Sequence, residues 1–492
     1  MRVLCLGNNT EDTDARTREL ADNVCHGLLS ELEGTVPELR DGWYHSSIYD
    51  FEYGRLVALA QEFDQVIMLD QPKEAYSHPN AFYLTVRLVQ SLANGQFIDP
   101  SYADDINFFK DLVETNKSFC IFPFIELLAN NYGDTRVCCR SSQPIKRLAD
   151  LKDFATDPDY QAIRSKMIAG ELVPEHCSVC YGMEDLGIIS ARQQETVEWA
   201  NRLNITSIED LSKIKHPAYY EVRPSNICNL QCRMCNPSSS HLIAQEYQRI
   251  GFIDQPYNQE FSDFSIIDFQ NLEKLYVAGG EPTAMPEFYD FVDKCISNNK
   301  TDFEFVVNTN ATKINSRFRR QLEHFSNMQF VVSLDGFEKV NDYVRWPSVW
   351  STVIDNARYL RDNYTMSFNV TLSIYNVLAF YQLLEFFDQE FPGTLIHGQL
   401  ASSPNDILSA LRFPDANLVL THLVPIRNLN CYKNDPLLAS FVEGLISHYE
   451  KQPDVDLAKL HEFFEFNDRL DQSRSVKLQD YIPELEQARK LL

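Results

Sequence analysis

The sequence predicts an α/β chain built around a six-strand core, with a small α/β segment and a cysteine-rich segment before it and helices after it. Three observations predict this. Short apolar runs recur between about 217 and 400, each ending in polar or glycine residues. Directly after the first run, Cys228-Asn229-Leu230-Gln231-Cys232-Arg233-Met234-Cys235 places three thiols at spacing C-x3-C-x2-C. Beyond about 400 the strand pattern is lost, and Pro414, Pro425 and Pro436 punctuate helical stretches.

Composition bounds the function. A chain of 492 residues can bury large cores and hold roughly two to four domains. Lys plus Arg of 44 against Asp plus Glu of 70 leaves a net charge of −26, which repels phosphate backbones and excludes general nucleic-acid binding. No apolar stretch reaches membrane-spanning length, so no membrane association is expected and a cytoplasmic protein is predicted. Twelve cysteines in such a chain point to metal ligation rather than a disulfide framework.

Residues 1–115 read as a small α/β domain. Val3 to Gly7 and Phe63 to Leu69 are short strands, with a helix-like segment from about Arg16 to Leu29. Gly7-Asn8-Asn9-Thr10 reads as an ordinary turn rather than a phosphate cradle, and Cys5 and Cys25 as core thiols. Residues 116–200 carry Cys120, a turn at Gly133, then Cys138 and Cys139, then Cys177-Ser178-Val179-Cys180. A C-x2-C pair presents two thiolates from one tight turn, and two more from a hairpin complete a four-cysteine site, for zinc or for iron and sulfide.

The core occupies 215–400. Tyr219 to Arg223 is its first strand and leads to the cysteine loop; Pro237-Ser238-Ser239-Ser240 then offers helix caps before a helix through about Arg249. Leu272 to Val277 runs into Ala278-Gly279-Gly280-Glu281-Pro282, where two glycines allow close backbone approach and Glu281 supplies a carboxylate. Phe303 to Asn308 runs into Thr309-Asn310, Phe330 to Leu334 into Asp335-Gly336, and Ser367 to Leu372 towards Tyr375-Asn376. A last strand covers Gly393 to Gln399. Polar residues at the carboxyl ends of successive strands line the working face of a barrel. The segment 401–492 reads as a helical extension, with helices near Leu418, from Pro436 to Glu450 and from Leu457 to Leu470. It is either an ordinary packing extension or a cap on the barrel mouth.

Three thiols are too few to close a zinc site, and an iron that lacks its thiolate can take another ligand. The C-x3-C-x2-C loop, followed one strand later by Gly279-Gly280-Glu281-Pro282, resembles the radical S-adenosylmethionine (SAM) superfamily. The resemblance implies a partial (β/α)6 TIM-like barrel. It implies that Cys228, Cys232 and Cys235 hold a [4Fe–4S] cluster whose open iron binds SAM. Met234 stands where the family commonly has an aromatic residue. Gly279, Gly280 and Glu281 match the glycine-rich motif that meets the SAM amino group. Asn310, Ser333 and Asn376 match ribose and carboxylate contacts, with Arg345 as a carboxylate partner; for each of these four, a solvated turn residue is the alternative.

The earlier cysteines resemble the twitch and SPASM auxiliary modules of that superfamily. The resemblance carries over Cys120, Cys138, Cys177 and Cys180, with Cys139 as a rival to Cys138, for one auxiliary [4Fe–4S] cluster. Zinc, or a cluster with a purely structural role, is the alternative. The implied activity is reductive cleavage of SAM to a 5′-deoxyadenosyl radical that abstracts hydrogen from a peptide, a protein side chain or a small polar metabolite. A low-potential donor such as flavodoxin or ferredoxin would supply the electron. An iron–sulfur electron carrier or sensor, and a zinc-stabilised interaction scaffold, are the competing readings.

Overall fold

The computed structural model describes residues 3–6, 65–68, 102–141, 143–185, 190–254, 264–401 and 406–492. They fall into two compact units, Met1–Ile121 with Arg164–Lys213, and Phe122–Ile163 with Ile214–Leu492. Among the described residues no helix is long and apolar enough to cross a membrane.

In the first unit β1 (Val3–Leu6) pairs in parallel with β2 (Gln65–Met68), at the two positions where strands are expected. The Gly7 turn, the Arg16 to Leu29 segment and Cys25 lie outside the described residues. Helices Tyr102–Thr115 and Ala191–Arg202 pack on each other. The second starts at a capping box in which Ser190 and Gln193 satisfy each other's backbone N–H groups.

The second unit is organised on a nine-stranded mixed sheet. Its strands are β3 (Glu126–Ala129), β4 (Asp134–Arg136), β5 (Lys146–Arg147), β6 (Tyr219–Val222), β7 (Lys274–Val277), β8 (Glu304–Thr309), β9 (Met328–Ser333), β10 (Thr365–Leu372) and β11 (Leu395–Leu400). The spatial order is β11-β10-β9-β8-β7-β6-β3-β4-β5. From β6 to β11 every pair is parallel and consecutive, so each strand is followed by a crossover that carries a helix, as parallel pairing requires. Next to β6 the sheet continues into β3, in parallel, and then into the antiparallel β4 and β5.

Register gives this sheet two unlike faces. Tyr220, Leu275 and Phe305 stand side by side, as do Val332 and Phe368, and all are buried in one apolar core. Burying each such side chain stabilises the fold by about 1.5–3 kcal/mol. The alternate positions carry Glu221 beside Tyr276, Ser333 beside Asn369 and Thr371 beside Gln399. One face therefore takes the helices, and the other presents polar groups to the site. Parallel sheets covered on both faces read as unbroken apolar runs; the alternation in Thr365–Leu372 marks a sheet that is apolar on one side only.

The three long C-terminal helices, Ala416–Leu423, Pro436–Glu450 and Leu457–Arg474, belong to the same unit and the same core, through Val419, Val442, Leu445, Phe463 and Leu470. Asp435 and Asp456 cap the last two, and Ser475 at φ 54° ends the third in a left-handed turn.

Candidate active site

The cysteine loop leaves the end of β6 and is pinned on both sides. Gln231 N–H donates to Trp346 O at 2.5 Å and Arg233 N–H to Val344 O at 2.8 Å. Ser240 Oγ donates to Leu230 O at 2.8 Å and also caps the helix His241–Arg249, whose first residue accepts the Cys228 N–H on Nδ1 at 3.2 Å. Cys228 and Cys232 are buried and Cys235 is half-buried. Burial pushes the Cys228 thiol well up, and the neighbouring Cys232 and Cys235 push it further. Burial, then Cys232, raises Cys235 to about 12. Three thiolates sharing one dry wall repel one another, so this donor set ionises together only against a cationic partner.

The glycine loop is stitched onto the approach to the cysteines. Ala278 N–H donates to Val222 O at 3.0 Å, Gly280 N–H to Ser225 O at 2.8 Å and Glu281 N–H to Ile227 O at 2.7 Å. A Cβ on Gly279, which sits at φ +116°, would lie 2.8 Å from Ser225 O. One on Gly280 would lie 2.1 Å from Ile227 O. Both glycines are thus required by close approach to neighbouring backbone.

Glu281 is buried, and protein donors surround its carboxylate. Oε1 accepts from Thr283 Oγ1 at 2.6 Å, Thr283 N at 3.1 Å and Thr309 Oγ1 at 2.7 Å; Oε2 accepts from Asn310 N at 2.5 Å. Burial nonetheless raises its pKa, against the pull of these bonds. The side chain works as a strut between the glycine loop and the end of β8. Asn310 in turn donates to Asn229 Oδ1 at 3.1 Å, inside the cysteine loop.

These pieces meet at one cavity of about 480 Å³. Cys228, Cys232, Cys235, Gly279, Gly280, Glu281, Asn310, Ser333 and Arg345 all line it, as does Met234. Arg345 is paired with Asp335, whose other oxygen accepts the Thr371 N–H at 2.6 Å. Asn376 does not line the cavity. It is buried, donates to Asp335 O and Thr371 O, and accepts from Ser373 N, so it fixes the loop that carries Asp335 against the end of β10 at Thr371. None of the described residues beyond Ala401 lines the cavity, so the C-terminal helices do not cap it.

Residues 222–386 match the family model described as the Radical SAM superfamily. The chain carries a radical SAM domain. The matched domain begins at the last residue of β6 and contains the cysteine loop, the glycine loop, Asn310, Ser333 and Arg345. No curated protein matches the chain. Solved structures similar to it include SuiB from Streptococcus suis bound to precursor peptide SuiA, at 14% identity and TM-score 0.30, covering 63% of this chain and 64% of that one. SuiB bound to S-adenosylmethionine follows at 16% identity and TM-score 0.30, covering 55% and 59%. Native anSMEcpe with bound AdoMet and Kp18Cys peptide stands at 15% identity and TM-score 0.29, covering 43% and 61%. The chain thus spans less than two thirds of the length of each.

Whether this radical SAM domain can hold an iron–sulfur group is tested by its donors. Among the described residues no three His, Cys, Asp or Glu side chains converge on a single metal ion. The three cysteines instead border one cavity, and Leu230 N–H points at Cys228 Sγ from 3.4 Å, a bond that favours a thiolate. That donor set suits a multi-iron group with room beside it.

The earlier cysteines divide between the two units. Cys120, Cys177 and Cys180 belong to the first, Cys138 and Cys139 to the second. Cys177 and Cys180 are buried and lie three apart on one helix, Pro174–Asp185, rather than in the tight turn expected. Burial first, then Cys180, raises Cys177 to about 12. The buried Arg192 ties this helix to the chain before Cys120, bonding Glu184 Oε1 and Oε2 at 2.8 Å and Phe119 O at 2.7 Å. The Gly133 hairpin is present, with that glycine at φ +73° and Leu128 opposite Arg136.

Arg223, Asn308, Asp335, Thr371 and Gln399 also line the cavity and were not singled out from the sequence. Their signal is the alternation just described: each stands on the polar side of a strand or at its carboxyl end.

Proposed function

We propose that this chain cleaves SAM reductively at a [4Fe–4S] cluster held by Cys228, Cys232 and Cys235, and uses the resulting radical to take hydrogen from a peptide, a protein side chain or a small polar metabolite. The observation that carries the reading is the joining of three thiols, two of them buried, and the Gly279-Gly280-Glu281 loop at one cavity of the radical SAM domain. When bound, the cluster and SAM supply one low-potential electron and a 5′-deoxyadenosyl radical. The chain's own residues do the rest. Glu281 holds the glycine loop against β8 and so keeps Gly279 and Gly280 on the cavity wall, where their backbone would meet the SAM amino group. Ser333 and Asn310 would offer hydrogen bonds to the ribose and carboxylate, and Arg345, oriented by Asp335, would pair with the carboxylate; Asn376 positions the Arg345–Asp335 pair. The six parallel strands serve as a partial (β/α)6 TIM-like barrel with its polar face inward.

An auxiliary [4Fe–4S] cluster on Cys120, Cys177, Cys180 and either Cys138 or Cys139 is part of the same proposal. So is a flavodoxin- or ferredoxin-type electron donor. The test is iron and sulfide content with low-temperature paramagnetic resonance, with and without SAM, on the anaerobic wild type and on a Cys228→Ala, Cys232→Ala, Cys235→Ala triple variant. About eight irons falling to about four, with SAM altering only the wild-type signal, is the expected result. About four falling to none removes the auxiliary cluster. No 5′-deoxyadenosine from reconstituted, reduced enzyme overturns the radical chemistry.

A further inference from the structure

Arg233 lies between two of the three cysteines, yet its side chain points away from the cavity. It is fully buried. Its Nε donates to Tyr343 O at 3.0 Å, Nη1 to Asn467 Oδ1 at 2.9 Å and Nη2 to Asp471 Oδ1 at 2.5 Å. The guanidinium sits 3.5 Å above the centre of the Tyr343 ring. Asn467 and Asp471 stand one turn apart on the C-terminal helix Leu457–Arg474. They are themselves fixed: Tyr375 Oη donates to Asn467 Oδ1 at 3.0 Å, Asn467 Nδ2 to Asp471 Oδ2 at 3.2 Å and Leu478 N–H to Asp471 Oδ2 at 2.8 Å. One turn further on, Arg474 pairs with the fully buried Glu246, from Nη2 to Oε2 at 2.6 Å. Glu246 belongs to the helix His241–Arg249 that leaves the same loop.

We infer that the C-terminal helix is the brace of the cysteine loop, with Arg233, Asn467 and Asp471 as positioning residues that set where Cys228, Cys232 and Cys235 stand. Packing alone does not call for this arrangement. A buried ion pair costs desolvation that well-packed apolar residues avoid, and its return is a single defined geometry. Here that geometry is imposed on the residue directly after Cys232, from a helix more than two hundred residues away in sequence. Reactive groups need such support, because a loop left to itself does not hold ligands to the tolerance that a site requires.

The inference rests on the proposed role of the three thiols, and its test separates the two. Full-length Asp471→Asn, and the paired apolar swap Arg233→Met with Asp471→Leu, are treated with an alkylating reagent before iron loading, and each cysteine is followed by mass spectrometry. Cys295, fully buried in the core, is the internal control. The expected result is labelling of Cys228, Cys232 and Cys235 about tenfold faster than in wild type, with Cys295 unchanged. After iron loading, the SAM-induced change in the resonance spectrum should be lost or altered in line with the labelling. Unchanged labelling of the three, or labelling that rises in step with Cys295, overturns the brace, since the network then serves only the global fold. Wild type that takes up no iron, while the variants label as expected, overturns the cluster and leaves the brace standing.

Discussion

Gly280 and Glu281 are adjacent and fail in different ways when replaced. Gly280→Ala drives a methyl group into the Ile227 carbonyl, and backbone, unlike the end of a flexible side chain, cannot step aside. The expected loss is about 1–3 kcal/mol of stability, with iron loading reduced because the displaced segment leads into the cysteines. Thermal melts and iron content check both. Glu281→Ala leaves the Thr309 hydroxyl, the Thr283 hydroxyl and the Asn310 N–H without their acceptor. Leaving even one buried group so costs about 1–3 kcal/mol. A Glu281→Ala protein with wild-type melting would show that the carboxylate is free for a ligand and not a strut. These residues were singled out from the sequence by their place one strand after the cysteine loop, because Gly-Gly-Glu-Pro on its own reads as an ordinary turn. What the glycines approach was not legible. The nearest obstacle is the backbone at 225–227, and no local pattern records which distant loop will lie alongside.

At the scale of elements, two ion pairs of similar geometry should differ widely in worth. Arg474 and Glu246 meet at 2.6 Å with side chains 2% and 0% exposed, whereas Arg427 and Glu443 meet at 2.6 Å with 42% and 41% exposed. Removing one partner of the buried pair, by Arg474→Met, is expected to cost about 3–5 kcal/mol, because a charge is left in the core. Arg427→Met should cost less than about 1 kcal/mol, since water screens the pair. Denaturant melts of the two variants decide this. The exposed pair has a pH signature: Arg427 first, then the Tyr432 hydroxyl, holds Glu443 down to about 2. A lowered folded-state pKa stabilises above the usual carboxylate range and is lost as pH falls towards 2. The melting temperatures of wild type and Glu443→Gln should therefore converge between pH 5 and pH 2, and a constant gap would refute the assignment. The helices that carry Glu246 and Glu443 were legible, since helix caps precede the one and Pro436 opens the other; the short turn Val424–Asn428 that holds Arg427 was not, and the last helix was expected to stop at Leu470, before Arg474. The burial of Asn467, Asp471 and Arg474 was not legible either. Polar residues on a helix read as a solvated face until another segment brings their partners.

At the scale of the whole molecule, the order of strands along the chain differs from their order in the sheet. The six parallel strands from β6 to β11 were legible one by one, because each alternates or ends in polar residues. The edge beyond β6 was not: Glu126-Leu127-Leu128-Ala129 is four residues long, and its hairpin reads equally well as part of a separate module. In the folded chain Leu128 stands beside Glu221 and Ala129 beside Val222, so residues from between the two stretches of the first unit complete the sheet of the second. A fragment of residues 214–492, cut where the second unit resumes and one residue before the sequence places the start of the core, therefore bares the flank of a strand whose four residues are all buried. An exposed, flat, apolar edge pairs with other chains. The fragment should elute as aggregates in size-exclusion chromatography and melt without a cooperative transition, whereas the full chain melts cooperatively. Fusing 122–163 ahead of 214 through a flexible linker should restore a monomeric, cooperative species, because it returns β3 to the flank of β6 with β4 and β5 outside it. If the bare fragment is already monomeric and melts as sharply as the fusion, the three added strands are an ornament on the core and not its edge.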